Sequence, residues 1–466
     1  MYQTILSKEE IQQVHDASMG LLAEVGVHFP YEEALDTFQK HGVRIEGSQV
    51  FLTEEQVMGA LASVPRQFTI HARNPARDVV VGDGQPVFAP GYGAPFLVDA
   101  EVGKRAPTME DYHNLVKLAH ALPNQDMSGH LIVEPEAANG GPVHLRMLHS
   151  HMVHSDKAFI GSAMGKRGAR DTFAMASILF GGELDKPVTV CLINSLSPLG
   201  YSTEMLEALV EYARAGQPVV VAALMMAGST GPITLAGVLC AQTAELLAGI
   251  ALTQMINPGT PAIFGSTSTN IDMKSGALAI GSPELSQMII AHAQLARYYN
   301  LPSRSGGALA DASFPDAQAG FESMMALLTT VNSGVDFVLH SGGILSSYLA
   351  FSIEKLVLDD EMCGMVRRMH QGIEIAPETL AHDVIARVGS GGNYLMEMHT
   401  VRRCRKEFWK PDLCDRGGLE AWMQAGRPTA VDRARQRWQD LVAKHEDPDL
   451  DDTTAKQLKE YVEEAS

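Results

Sequence analysis

Residues 188–224 read VTVCLINSLSPLGYSTEMLEALVEYARAGQPVVVAAL, and they decide the fold. The runs 188–193 and 219–224 are of strand length and almost wholly apolar. A strand that is apolar throughout is covered on both faces, as in a parallel sheet. Between them, 204–215 places Leu206, Leu209, Val210 and Ala213 at helical spacing, so one helix face meets a core. Strand, amphipathic helix and strand make a βαβ unit, and its crossover is long enough to bring the second strand back parallel to the first.

Working outward, the same alternation fills 87–372. Strands are expected at 96–98 (or the preceding 87–89), 127–133, 158–163, 188–193, 219–224, 262–265, 303–309 and 337–340. Helices are expected at 109–121, 141–153, 169–180, 204–215, 233–255, 283–299, 316–331 and 347–369. Eight strands, each followed by a helix, give an α/β fold, the (β/α)8 TIM barrel. An open doubly wound sheet is the competitor, but a dinucleotide-binding version would carry GxGxxG at a strand-to-helix turn, and none is present.

Before the barrel, 1–86 reads as an α-rich cap with small β pieces. Ser7 and Glu10 form a capping box ahead of Ile11, Val14, Met19 and Leu22, an alternating segment spans 43–52, and further helices are expected at 31–41 and 53–64. After it, 373–466 reads as a helical extension with a basic group at Arg402, Arg403, Arg405 and Lys406, an amphipathic stretch 427–444, and an acidic tail from 446 expected to fray or dock loosely. The three stretches are expected to form one structural domain.

With 36 Lys and Arg against 55 Asp and Glu, the net charge of −19 argues against nucleic acid or an anionic membrane as the main partner. The five cysteines are widely spaced and form no CxxC pair, so neither a disulfide framework nor a zinc ribbon is expected. The start MYQTILSKEEIQQ lacks the basic and apolar regions of a signal peptide, and the longest apolar runs are interrupted before they reach a membrane span. A cytoplasmic protein is expected.

In such a barrel the chemistry sits just after each strand. Those positions hold Tyr92, Glu134, Met164, Asn194, Met225 and Met226, 266–272, 310–316 and 340–347, with GSTST (265–269), SGGALADAS (305–313) and HSGGILSS (340–347) keeping the rim open. No His pair at metal spacing, no Schiff-base lysine and no Ser-His-Asp order stands there. His144, His149, His151 and His154 crowd one crossover helix and read as a packed or solvated face; no metal ligand is expected. His340 ends strand eight, either as a functional or as a hydrogen-bonded structural residue. Arg304, inside strand seven, needs an anion: a substrate carboxylate, or an internal acid such as Asp311. Tyr92, Phe314, Tyr348 and Phe351 can offer aromatic faces to a methylammonium cation.

Three motifs carry a resemblance. GYGAPFLVDAEVGKRAPTMEDY (91–112), NIDMKSGALAIGSPE (270–284) and SGGALADASFPDAQAGFE (305–322) make the chain similar to the trimethylamine methyltransferase superfamily over nearly its whole length. The resemblance implies a barrel that passes a methyl group from an amine to the cobalt of a cognate corrinoid protein. Where the trimethylamine enzymes carry pyrrolysine, the matching position here is Ser313. The chain is therefore similar to the branch lacking pyrrolysine, which acts on quaternary amines: glycine betaine, proline betaine, carnitine and γ-butyrobetaine.

A quaternary nitrogen leaves as a neutral tertiary amine once its methyl is taken, so neither a general acid nor a covalent adduct is required. What remains for the protein is to orient the substrate and exclude water. Glycine betaine, the smallest of the four, is favoured. The expected arrangement has aromatic and Met side chains holding the ammonium, Arg304, His340 or Asn194 holding the carboxylate, Ser313 beside the substrate, and Met226, Ser266 and Asp311 facing the corrinoid. The corrinoid is expected on the partner protein, with none tightly bound to this chain, and a homo-oligomer is expected. Two other readings stay open: a betaine-binding barrel without chemistry, and a metal-dependent hydrolase using His340 or Glu134.

Overall fold

A computed structural model describes residues 2–99, 103–136 and 142–465. We number the barrel strands β1 (Val87–Ala89), β2 (Met127–Ser128), β3 (Ala158–Ile160), β4 (Thr189–Asn194), β5 (Val219–Ala223), β6 (Ala262–Ser266), β7 (Ser303–Arg304) and β8 (Phe337–Leu339). The helices that follow them are α1 (Met109–Ala121), α2 (Val143–His154), α3 (Gly165–Phe180), α4 (Thr203–Arg214), α5 (Leu235–Ile256), α6 (Pro283–Tyr298), α7 (Ala317–Asn332) and α8 (Ile353–His370). Each strand pairs in parallel with its successor from β2 to β8, and β8 returns to β1. The fold is a (β/α)8 barrel.

The ring closes between β1 and β2 without a regular ladder. The Asp126 N–H donates to the Phe88 carbonyl at 2.8 Å, and the Asp126 carboxylate accepts from the Phe88 N–H at 2.7 Å. Arg367 of α8 binds that carboxylate and lies over the Phe88 ring, 4.4 Å from its centroid. A side chain thus stands in for a missing backbone partner.

Barrel-facing residues such as Met127, Ile160, Val190, Val220, Ile263 and Phe337 form one cluster with Phe68, Ile70, Val79 and Val81. The latter four come from the antiparallel hairpin Phe68–Ile70 and Val79–Val81. The His71 N–H donates to the Pro187 carbonyl just ahead of β4, so this hairpin plugs the N-terminal end of the barrel. The opposite end is left for the site.

Four expectations are corrected. Of the two candidates for strand one, 87–89 is the barrel strand; Phe96–Asp99 joins Gly103–Arg105, Ala350–Phe351 and Ile344–Leu345 in a small sheet outside the barrel. Strand two stops at Ser128. Strand seven stops at Arg304, because Gly306 and Gly307 take φ of +61° and +126°, and a Cβ on Gly307 would collide with the His340 carbonyl oxygen. The acidic tail is not frayed: helix Asp452–Ala465 buries Leu458 completely and the Tyr461 hydroxyl donates to Asp171 at 2.8 Å. Covering that leucine contributes roughly 1.5–3 kcal/mol.

Helix α5 is long and apolar enough to cross a bilayer, but 78% of its apolar window is buried. It runs between β5 and β6 on one side and the N-terminal helices Lys8–Glu24 and Glu54–Leu61 on the other. A helix that is apolar all round is the expected result of being covered all round.

Candidate functional site

The polar groups left unsatisfied at the C-terminal end of the barrel define the candidate site. Arg304, on the last residue of β7, is 2% exposed. Among the described residues its one side-chain hydrogen bond runs from Nη1 to Thr267 Oγ1 at 3.4 Å, and its Nε is buried without a partner. No carboxylate among the described residues pairs with it. Burial lowers its pKa to about 10, which still leaves a cation at neutral pH.

Asp311 does not serve as its counter-ion. Its carboxylate accepts from the Ile280 N–H (2.9 Å), the Gly281 N–H (2.8 Å) and the Ser347 hydroxyl (2.7 Å). The acid therefore ties the loop after β6 to the loop after β8. Ser346, Ser347 and Tyr348 in that last loop all take positive φ (47°, 55° and 73°). This conformation costs roughly 1–2 kcal/mol for each non-glycine residue. Bonds from the Ser346 and Ser347 N–H groups to the Ala312 and Ala310 carbonyls, with the Asp311 contact, hold the loop there. The outcome is a Tyr348 ring aimed inward.

Tyr348 packs on His340, with ring centroids 4.9 Å apart and planes tilted by 54°. Its hydroxyl is buried without a hydrogen-bond partner among the described residues, Thr267 lies beside it, and burial pushes its pKa up to about 12. His340, itself at φ 70°, accepts the Tyr92 N–H at Nδ1 (3.1 Å). The ring proton then sits on Nε2, a donor for which the described residues supply no acceptor. Burial, with the Arg304 charge beside it, holds the His340 pKa well below its ordinary value, so the ring is neutral. Tyr92 rests on the barrel core, and burial raises its pKa.

The structure thus brings together Tyr92, Arg304, His340 and Tyr348, and adds Thr267, which sequence reasoning placed only within a rim segment. It does not bring in the rest. Asn194 is exposed at the end of β4. Ser313 is exposed, and among the described residues its hydroxyl meets only that of Ser346, at 3.4 Å. Phe314 is exposed and lines an outer cleft of about 760 Å³ between α7, α8 and helix Ala430–Ala443. Phe351 is a correction: it is fully buried in the helix-side core, packed on Gly91 and Gly343, and offers no open face to a ligand. Ser266 is buried and donates to Gln242 at 2.6 Å, while half-buried Met226 pairs along Thr269 in a short ladder above the barrel. Glu134 is exposed.

The histidine-rich helix α2 does not converge either. His144 pairs with Asp171 at 2.7 Å, His151 packs on Phe159, His149 is half-buried, and His154 turns toward Asp447. Around the mouth, Met164, Leu196, Leu224, Met273 and Leu349 are exposed, one each from the loops after β3, β4, β5, β6 and β8. Isolated exposed apolar residues are ordinary, but five on one face mark an interaction surface.

Residues 2–465 match the sequence profile of a family described as trimethylamine methyltransferase (MTTB). Glycine betaine methyltransferase of Desulfitobacterium hafniense (strain Y51) is 48% identical over 461 residues, covering 98% of this chain and 96% of the relative. Proline betaine:corrinoid methyltransferase of Eubacterium limosum is 33% identical, covering 99% of this chain and 98% of the relative. The solved monomethylamine methyltransferase of Methanosarcina barkeri is similar in fold, with a TM-score of 0.56, 13% identity, and coverage of 94% of this chain and 88% of that one.

Proposed function

The chain belongs to the trimethylamine methyltransferase family, and on that premise we propose that its methyl donor is glycine betaine. The enzyme moves one methyl group from the quaternary nitrogen to Co(I) of a corrinoid carried by a separate protein, leaving dimethylglycine. The observation that carries the substrate is Arg304, a buried cation for which the described residues supply no anion. Leaving such a charge unpaired is costly, and a substrate carboxylate relieves the cost. The neutral His340 Nε2–H and the Tyr348 hydroxyl are further donors for the carboxylate.

The Tyr92 and Tyr348 faces suit the trimethylammonium end, each contributing about 0.5–2 kcal/mol when desolvated. The partner's corrinoid supplies the nucleophile; the chain's own residues hold one methyl toward the mouth and keep water out. The C–N bonding pair departs with nitrogen, which loses its positive charge and needs no proton. That chemistry asks for no acid–base pair at the rim.

The exposed apolar side chains around the mouth support docking of the corrinoid-carrying protein there. A second copy of the chain fits a different surface. Between the end of α8 and Leu413, residues such as Ile373, Ile375, Leu395, Met396 and Phe408 are exposed on an arm that buries none of its residues. The arm leaves the barrel at the helix C-terminus, on the face opposite the mouth, so a self-association there leaves the site open. We read the cap, barrel and extension as one folded unit, because Leu413 and Ala434 share a core cluster with barrel helices. Its five cysteines are free, in keeping with a reducing, cytoplasmic setting.

The test is a panel of glycine betaine, proline betaine, carnitine, γ-butyrobetaine and trimethylamine, each offered with free cob(I)alamin. Consumption of cob(I)alamin with release of dimethylglycine is expected for glycine betaine. Faster turnover of another amine would overturn the substrate, and turnover of none, by a folded protein, would overturn the activity.

A further inference from the structure

Away from the barrel mouth, α1, α2 and the link between the last two helices bring four histidines together. The His154 Nδ1 and His445 Nε2 atoms both point at Asp447 Oδ1, at 2.6 and 3.1 Å. All three donor atoms lie within 4.8 Å of one another. His113 meets the His154 ring edge-on at 5.5 Å between centroids, and His120 meets the His445 ring in the same way at 5.4 Å. The His445 side chain is 3% exposed, so a partly covered pocket rather than a solvated loop holds the donors.

We propose that His154, His445 and Asp447 bind a divalent transition-metal ion, zinc by the chemistry of the set, with solvent at the fourth position. Two imidazoles and one carboxylate are the donors zinc takes, at about 2.0–2.2 Å, which sets neighbouring ligand atoms roughly 3.3 Å apart. The two spacings to Asp447, 2.6 and 3.1 Å, fall somewhat short of that value, and the half-exposed Asp447 has room to move outward. Asp156 and Asp449 add negative charge nearby, against Arg73 and Lys117. The ion would fasten the link at 445–447 to α2, and with it helix Asp452–Ala465.

The test uses the full-length protein, stripped with a chelator and titrated with Zn²⁺ and, for its spectrum, Co²⁺. About one ion per chain and the intense visible bands of four-coordinate Co²⁺ are expected. H154A/H445A should lose both, D447N should weaken binding on the order of tenfold or more, and H399A, at a half-buried histidine elsewhere, should change nothing. Zinc should slow tryptic cleavage after Lys444 in the wild type and H399A but not in H154A/H445A. Should the double variant fail to fold, D447N and the proteolysis pattern decide. A folded wild type that takes up no stoichiometric ion, or uptake that the His and Asp substitutions leave intact, overturns the site.

Discussion

Two cations are buried near the C-terminal end of the barrel, one on a strand and one on a helix. Lys355, in the first turn of α8, is 1% exposed; its ammonium donates to the Ala308 carbonyl (3.0 Å), Ser323 Oγ (2.8 Å) and Asp359 Oδ2 (2.6 Å). Arg304 is 2% exposed and its side chain makes one long hydrogen bond among the described residues. Lys355 uses all three donors inside the chain, while the five-donor guanidinium leaves most of its donors idle. Burial alone does not separate a structural charge from a binding one. The partner inventory does: a cation satisfied by the protein holds the fold, and one left wanting is positioned for a ligand.

That contrast can be broken by substitution. R304A should reduce kcat/KM for glycine betaine by on the order of 10²–10³, the effect of removing one partner from a buried charge pair. Its melting temperature should stay level or rise, since an unpaired buried charge has been removed; a destabilised R304A with unchanged kinetics would reverse the assignment. K355A should do the opposite at the level of the fold. It strands Asp359 and should cost about 3–5 kcal/mol in denaturant unfolding.

Asp311 sharpens the comparison, because it acts on the site only through the loop carrying Tyr348. D311N should raise KM by on the order of tenfold through misplaced contacts, with S347A following in the same direction by less. The pH profile is a gentler probe. Arg304 is protonated below about 10, so KM should be flat through neutral pH and rise only as pH passes that value. His340, depressed below its unfolded value, should give no acid limb in binding. Its neutral state instead contributes stability that is present above the unfolded pKa and is lost as pH falls. S313A should alter kcat/KM by less than about twofold, as an exposed serine with one weak contact.

The barrel could be read from the chain because apolar strands and amphipathic crossovers each announce themselves locally, as 188–224 does. So could the Ser7 capping box, in which both reciprocal hydrogen bonds form. Arg304 and His340 were found because a charge in an apolar run and a polar residue at a strand end are local signals too. Their relation to Tyr348 was not visible: it depends on three consecutive left-handed residues that no propensity favours. Phe351 misled for the same reason, since a register in a small outer sheet decides which aromatic turns inward. Thr267 gave no signal beyond its place in a polar rim. Asp447 and His445 lie almost 300 residues from His154, and nothing local to α2 marks His154 apart from His151, three residues before it, which packs on Phe159.

The join between β1 and β2 has one consequence for the motions of the molecule. Elsewhere the ring is a run of paired strands; here it depends on one main-chain bond and on the Asp126 carboxylate gripped by Arg367. Opening this join sacrifices far less than separating β4 from β5 or β5 from β6, so slow breathing of the ring begins there. In deuterated solvent the amides of Phe88 and Asp126 should exchange ahead of those in the central strands. The barrel behaves as a curled sheet whose two edges are clasped by a removable pin.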